Sequence, residues 1–306
     1  MYLDMDPGHD DALALLVALA SLKVKGVTAV CGNQTVDKTA GNARRVLDLA
    51  HYEEISVHQG ADRPLFRPLV TAAHVHGSSG LDGYHFHLRD REKTIPADAQ
   101  QWLECEFTQE PGDIAWIATG PLTNVAAFLM GHREFVPRIK KLTVMGGALN
   151  HGNITPYAEF NFYVDPDAAH WVLAQGIPIQ LVGLDVTHKA LLAPDALERF
   201  VSFGSEIGLM LHDLFAFYFK HEPNAVPQGV PVHDVLAVGA MVHPEFFAWR
   251  RVNLTVERCD EKYRGQMTVV SESARAATQV AVDVDVARFF EWMWAMLANG
   301  FSGNRA

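Results

Sequence analysis

Near the start of the chain, the nine residues Leu3-Asp4-Met5-Asp6-Pro7-Gly8-His9-Asp10-Asp11 hold four carboxylates. Side chains alternate along a strand, so Asp4 and Asp6 fall on one side of a short opening run. Pro7-Gly8 turns the chain. Asp10 and Asp11 then enter the first turn of a helix, near the positive end of its dipole. Either residue alone would serve as a plain helix start, but the whole group asks for more. Crowded carboxylates repel unless they are protonated, hydrogen-bonded or bound to a cation, and a hard cation with oxygen ligands answers that need directly. Asp4 is set apart as the member that braces the turn.

Other segments carry polar groups that suit a ligand. Asn153, Glu159 and Asn161 lie in a Gly- and Pro-containing stretch after a strand-like run. Three such hydrogen-bonding ends fit a polyhydroxylated ligand such as a sugar. His233-Asp234 precedes the apolar run Val235–Val242; it reads either as a helix cap or as an acid–metal pair brought in from far along the chain. Thr119-Gly120-Pro121-Leu122-Thr123-Asn124 is a strand-to-helix turn that can also offer a backbone carbonyl. The His- and Gly-rich stretch His74 to His87 has no Cys or other fixed-spacing partner for zinc, and reads better as a lid over a pocket. The aromatic stripe Phe215–Phe219 reads as core. Asp165-Pro166-Asp167 reads as a helix start with Pro at its first position.

These groups need a scaffold. β-Branched runs alternate with helical stretches: Tyr2-Leu3, Val27–Val30, Ile55–Val57, Ile114–Ile117, Leu142–Val144 and Ile179–Val182, with helices expected over Asp11–Ser21 and Thr39–His51 among others. That alternation predicts βαβ units, hence an α/β fold with an open, mostly parallel sheet and helices on both faces. Ligands of such sheets bind beyond the carboxyl ends of the strands, where Asp6, Asn33, Thr119 and Met145 all stand. Further on, Pro194–Lys220 looks helical, His221–Pro231 a loop, Val252–Arg258 with Met267–Val270 a hairpin-like annex, Val282–Val286 a strand and Phe289–Ala298 a closing helix. These later pieces are expected to decorate one domain spanning 1–306.

Composition narrows the classes. The chain has 306 residues, 49% hydrophobic and 20% charged, enough for a large core without disulfides. Its formal net charge of −11 disfavours nucleic acid and anionic membranes. Cys31, Cys105 and Cys259 form no disulfide framework, which points to a reducing, cytoplasmic setting. The acidic first residues lack the basic region of a signal peptide. The longest apolar stretch, Ala12 to Leu22, falls short of the ~20 residues a membrane span needs.

Taken together, the opening Asp motif, Gly32-Asn33, His76-Gly77 through Leu81-Asp82-Gly83, Thr119 through Asn124, Met145-Gly146-Gly147, Asn153 with Ala158-Glu159-Phe160-Asn161, and His233-Asp234 resemble the nucleoside hydrolases, the inosine–uridine-preferring N-ribohydrolases. The match covers nearly the whole chain. It implies hydrolysis of the N-glycosidic bond of ribonucleosides, with a Ca²⁺ held by Asp6, Asp11, Asp234 and the carbonyl of Thr119. Asp6 would also be the general base on a water. Asp10 and Asn161 would hold the ribose 2′ side, Asn153 and Glu159 the 5′-hydroxyl, and Asn33 and Met145 would line the sugar pocket. His233 and His76 would lie toward the nucleobase, as acid or hydrogen-bond donor. Thr155-Pro156 resembles pyrimidine-preferring members, although the Tyr those enzymes place before the His-Asp loop aligns here with Phe219, with His221 nearby. The family also implies a homo-oligomer, dimer or tetramer. Because the chain begins almost at the motif, its first strand is expected to be short, with a less stable edge.

Two other classes stay open on the residues. The opening also resembles the D-x-D start of aspartate-nucleophile phosphatases, which implies Asp4 as nucleophile and Mg²⁺; Pro7 and the extra Asp10-Asp11 pair count against it. A non-catalytic module binding Ca²⁺ and a nucleoside would keep the same site.

Overall fold

The computed structural model describes residues 1–86, 95–110 and 112–303. Eleven strands are present among them: β1 (Tyr2–Met5), β2 (Gly26–Ala29), β3 (Ser56–Gln59), β4 (Ile114–Ala118), β5 (Ile139–Met145), β6 (Ile179–Val182), β7 (Leu191–Leu192), β8 (Val230–Pro231), β9 (Phe247–Val256), β10 (Met267–Glu272) and β11 (Thr278–Val284). Nine of them form one sheet in the order β10-β9-β11-β6-β5-β4-β1-β2-β3, and β7 pairs with β8 apart from it. From β3 to β11 every pairing is parallel; β9 runs antiparallel to both β10 and β11.

The chain lays down β1, β2 and β3 toward one edge, then returns to the other side of β1 for β4, β5 and β6. Crossovers on the two sides therefore leave in opposite directions, and a crevice opens at the carboxyl ends of β1 and β4. Open α/β sheets place their ligands at such a switch point. β1 is short, but it has no free edge. All four of its residues are buried, and it is hydrogen-bonded to β2 on one side and β4 on the other. The expected weak edge is not there, because the strand sits inside the sheet.

Both faces of the sheet are covered, as the near-continuous apolar strands require. One core packs the helices His9–Ser21, Val36–Leu49, Glu206–His221, His233–Val242 and Val286–Phe301; the other packs Ala99–Gln109, Thr123–Gly131 and Pro166–Leu173. The helix His9–Ser21 is buried from His9 through Leu19, with contacts to His233–Val242 and Val286–Phe301. A helix covered on all sides needs no polar face, which explains the sequence Ala12-Leu13-Ala14-Leu15-Leu16-Val17-Ala18.

Three later expectations are corrected. The segment 194–220 is two helices, Ala196–Val201 and Glu206–His221. Gly204, at φ +62°, stops the first, and the Ser205 side chain caps the second by accepting from Gly208 N. The last strand is Thr278–Val284 rather than Val282–Val286, because Asp285 caps the final helix by accepting from Arg288 N. Finally, the expected annex, β9 with β10, is part of the main sheet: β9 pairs with β11, which lies parallel against β6.

Candidate active site

The carboxyl ends of the central strands open into a pocket, the place where open α/β sheets bind their ligands. Asp6, Asp10, Thr119 and Asp234 form its floor, and Asn33, Met145 and Asn161 stand beside them. Asn153 and Glu159 line one wall; His76 and His233 also face the space. Asp11 is fully buried directly beneath, where its carboxylate accepts from Gly8 N (3.1 Å), Thr119 Oγ1 (2.7 Å) and Asn33 Nδ2 (3.2 Å). The residues expected to hold metal, ribose or base thus meet at one place, from segments more than two hundred residues apart.

Asp6 follows β1 and is wedged between two glycines. Its Oδ2 accepts from Asn33 N at 2.7 Å. A Cβ on Gly32 would fall 2.1 Å from that Oδ2, and one on Gly120 would fall 2.8 Å from Oδ1. Backbone from the ends of β2 and β4 can therefore close on Asp6 only because neither position carries a side chain.

Asp10, Asp11 and Asp234 each bring a carboxylate oxygen within 4.8 Å of the others, and all three are buried. This tightest trio differs from the expected one: Asp10 belongs to it, and Asp6 stands alongside. Burial first, then mutual repulsion, raises Asp6, Asp10 and Asp234, with Asp10 pushed up to about 8. Burial also raises Asp11, against the pull of its hydrogen bonds. Among the described residues no Lys or Arg lines the pocket. His9, His76 and His233 supply no charge either: burial lowers all three, His9 to about 4 and His233 to about 3. A buried, oxygen-only donor set without a cationic side chain fits a hard divalent ion. The Thr119 carbonyl adds a further oxygen; it accepts from Asn161 Nδ2 at 2.7 Å and keeps a second lone pair.

The neighbours fix which atoms remain for a ligand. Asn161 Nδ2 donates to the carbonyls of Thr119 and Met145 (2.7 and 3.2 Å), so its Oδ1 is left to accept. Asn153 Oδ1 accepts from Phe160 N (2.9 Å), which leaves its amide NH₂ to donate. Glu159 caps the helix Phe160–Val164, accepting from Gly147 N, Asn161 N and Phe162 N at 2.8, 2.8 and 3.1 Å. His233 Nδ1 is 2.7 Å from Thr187 Oγ1.

Asp4 takes no part in the pocket. It is fully buried, accepting from Thr28 Oγ1 (2.5 Å) and Asn124 Nδ2 (2.7 Å), and burial pushes it up to about 7. No phosphate can reach it, so the phosphatase reading loses its nucleophile. Its bracing role is structural. Asn124 also donates to Ala29 O (3.1 Å) and accepts from Ala61 N (2.7 Å), tying β1, β2 and the segment after β3 together. Asn124→Ala breaks three buried bonds, and we expect a loss of about 3 kcal/mol in urea unfolding, at roughly 1 kcal/mol each. A loss below 1 kcal/mol would show that the tie is dispensable.

Sequence reading missed Tyr218, Glu222 and Asn224, all of which line the pocket. The position aligned with the family tyrosine, Phe219, is only half-buried and packs on the core, and His221 is exposed, bonded to Phe217 O. Helical phase gives the reason. Leu211, Leu214, Phe215 and Tyr218 share the buried face, and Glu222 continues that spacing one turn on. The His-rich stretch supplies His74 and His76 to a wall of the pocket; Asp82 pins it by accepting from Ser78 N and Ser79 N, both 2.9 Å. His87, at the end of the expected lid, lies outside the described residues.

Comparison with known proteins identifies the family. The family model described as "Inosine-uridine preferring nucleoside hydrolase" matches residues 1–291. The chain belongs to that family and is a nucleoside hydrolase. It is 40% identical to the pyrimidine-specific ribonucleoside hydrolase RihA of Salmonella newport (strain SL254), over 92% of this chain and 93% of the relative. It is also 40% identical to the RihA of Klebsiella pneumoniae (strain 342), over 97% and 98%. Among solved structures, a purine-preferring ribonucleoside hydrolase from Gardnerella vaginalis superposes with a TM-score of 0.89 at 29% identity, covering 98% of both chains. The plant nucleoside hydrolase PpNRh1 superposes with a TM-score of 0.88 at 30% identity, covering 97% of this chain and 98% of its own.

Proposed function

We propose that the protein hydrolyses the N-glycosidic bond of ribonucleosides, pyrimidine ribonucleosides ahead of purine ones, with Ca²⁺ as its metal. The observation that carries this reading is the floor of buried carboxylates at the switch point of the sheet, beside a wall of Asn and Glu side chains suited to ribose. The pyrimidine preference rests on the 40% identity to relatives named pyrimidine-specific, against 29% to the purine-preferring structure.

Asp6, Asp11, Asp234 and the Thr119 carbonyl would hold the metal, and Asp10 is close enough to share it. When bound, the ion would orient a water and lower its pKa. Asp6 would be the general base on a water held in this pocket. The free Asn161 Oδ1 and Asp10 accept from the ribose 2′ side, while the Asn153 amide and Glu159 hold the 5′-hydroxyl. Asn33 and Met145 shape the sugar pocket. These contacts orient the ribose for a transition state with oxocarbenium character. Burial keeps His76 and His233 neutral, so each meets the leaving base as a hydrogen-bonding imidazole rather than as a charged acid. The whole of 1–306 works as one domain, as a homo-oligomer, in the reducing cytoplasm that its unpaired cysteines fit.

Ribose release from uridine, cytidine, inosine and adenosine tests the reading, with uridine 5′-monophosphate as control. We expect the pyrimidine nucleosides to be cleaved fastest and the nucleotide to be spared. Saturable nucleoside binding with no ribose on long incubation would instead establish a binding module. His233→Ala should lower kcat about 100-fold and change KM by less than tenfold, at the lower end of what one hydrogen-bond donor aimed at the transition state supplies. A change confined to KM would remove His233 from the chemistry.

A further inference from the structure

The helix Glu206–His221 ends in Glu222, whose side chain lines the same pocket although the residue is only 8% exposed. A carboxylate in such a place needs hydrogen-bond donors, and Asn224 supplies two. It donates through its backbone N (2.8 Å) and its Nδ2 (2.7 Å), both to Oε1. The buried Tyr218 lines the pocket close by. An ionised carboxylate has about four lone-pair positions, so these donors leave acceptor capacity. Ala72, Val75, Ile154 and Pro223 line the pocket too and are apolar, while His74 stands near enough to Glu222 to act on its charge. With both Asn224 donors aimed at its Oε1, the Glu222 carboxylate is a fixed acceptor on this wall.

This rests on the hydrolase reading above. Ribose hydroxyls are expected at the floor, so the base must extend toward the rim. We propose that Glu222, oriented by Asn224, determines specificity by accepting a hydrogen bond from an N–H on the outer edge of the nucleobase. Uracil offers N3–H there and cytosine its exocyclic amine. A pocket built around a buried acceptor rejects an analogue that lacks the donor, because the acceptor is then left unpaired.

The probe is N3-methyluridine, which keeps the ribose and glycosidic bond of uridine but has no N3–H. We expect the unaltered protein to favour uridine over it by roughly 10- to 100-fold in kcat/KM, the range for a hydrogen bond to a charged group. Glu222→Gln keeps the volume. The two Asn224 donors hold the amide oxygen, so the NH₂ faces the substrate N–H; uridine should fall by the same roughly 10- to 100-fold, and N3-methyluridine should stay within threefold. Glu222→Ala should likewise bring the two substrates to similar rates. Equal cleavage of both by the unaltered protein overturns the proposal, as does an equal fall for both substrates in Glu222→Gln. Absence of ribose release from any nucleoside overturns the hydrolase reading itself, which separates the two failures.

Discussion

Asp6→Asn should abolish turnover, by roughly 10³- to 10⁴-fold at saturating Ca²⁺, while the fold persists. The fold should persist because the amide oxygen can still accept from Asn33 N, now 2.7 Å from Oδ2, and the amide fits the same gap between Gly32 and Gly120. One negative charge also leaves a crowded cluster. Turnover should fail because an amide cannot take a proton from water. Circular dichroism and thermal midpoint check the fold, and single-turnover ribose release checks the chemistry. Activity within tenfold of the unaltered protein would sink the assignment of Asp6 as base.

The second large effect concerns metal and pH together. Asp10 is pushed to about 8, and Asp6, Asp11 and Asp234 are raised as well, all above the ~4 of an unfolded chain. A raised acid binds its proton more tightly in the native state. Its contribution is therefore fully present below pH ~4 and is lost as pH rises through the folded value. The metal-free protein should lose stability between pH 5.5 and pH 8 from this cluster. Ca²⁺ competes with those protons, so its stabilising increment should grow over the same interval. At a hundred times Kd the increment is about 2.7 kcal/mol, or roughly 4 °C in Tm for a chain of this length. Asp234→Asn should remove most of it. Calorimetric scans with Ca²⁺ or chelator at the two pH values decide the matter. An equal increment at both pH values, or none, would count against the cluster as the metal site.

Much of this site could be read from the chain alone, for a physical reason. Asp6, Asp10 and Asp11 sit within one strand–turn–helix, where local rules place them, and strand ends at Asn33, Thr119 and Met145 share one edge of a parallel sheet. The βαβ alternation predicted that sheet, and it forms. What escaped was set by packing phase and by tertiary pairing. Tyr218 and Glu222 face the pocket through the rotation of one helix, which an aromatic-rich run obscures because Phe215, Phe217 and Phe219 look alike. The hairpin β9–β10 looked peripheral because nothing local shows that β11 pairs with β6. Asp10 joined Asp11 and Asp234 through the approach of two helices, which no spacing along the chain encodes.

The switch point divides the labour of the molecule by origin in the chain. Groups that would hold metal and sugar come from strand ends, the buried start of His9–Ser21, Asp234 and the segment 153–161, and two glycines clamp Asp6 in place. Of the groups that would meet the base, Glu222 and His76 come from the end of one helix and the segment 72–76, and His233 alone adjoins a metal ligand. A lineage can therefore retune which base is accepted by replacing a few rim positions without disturbing the reacting centre.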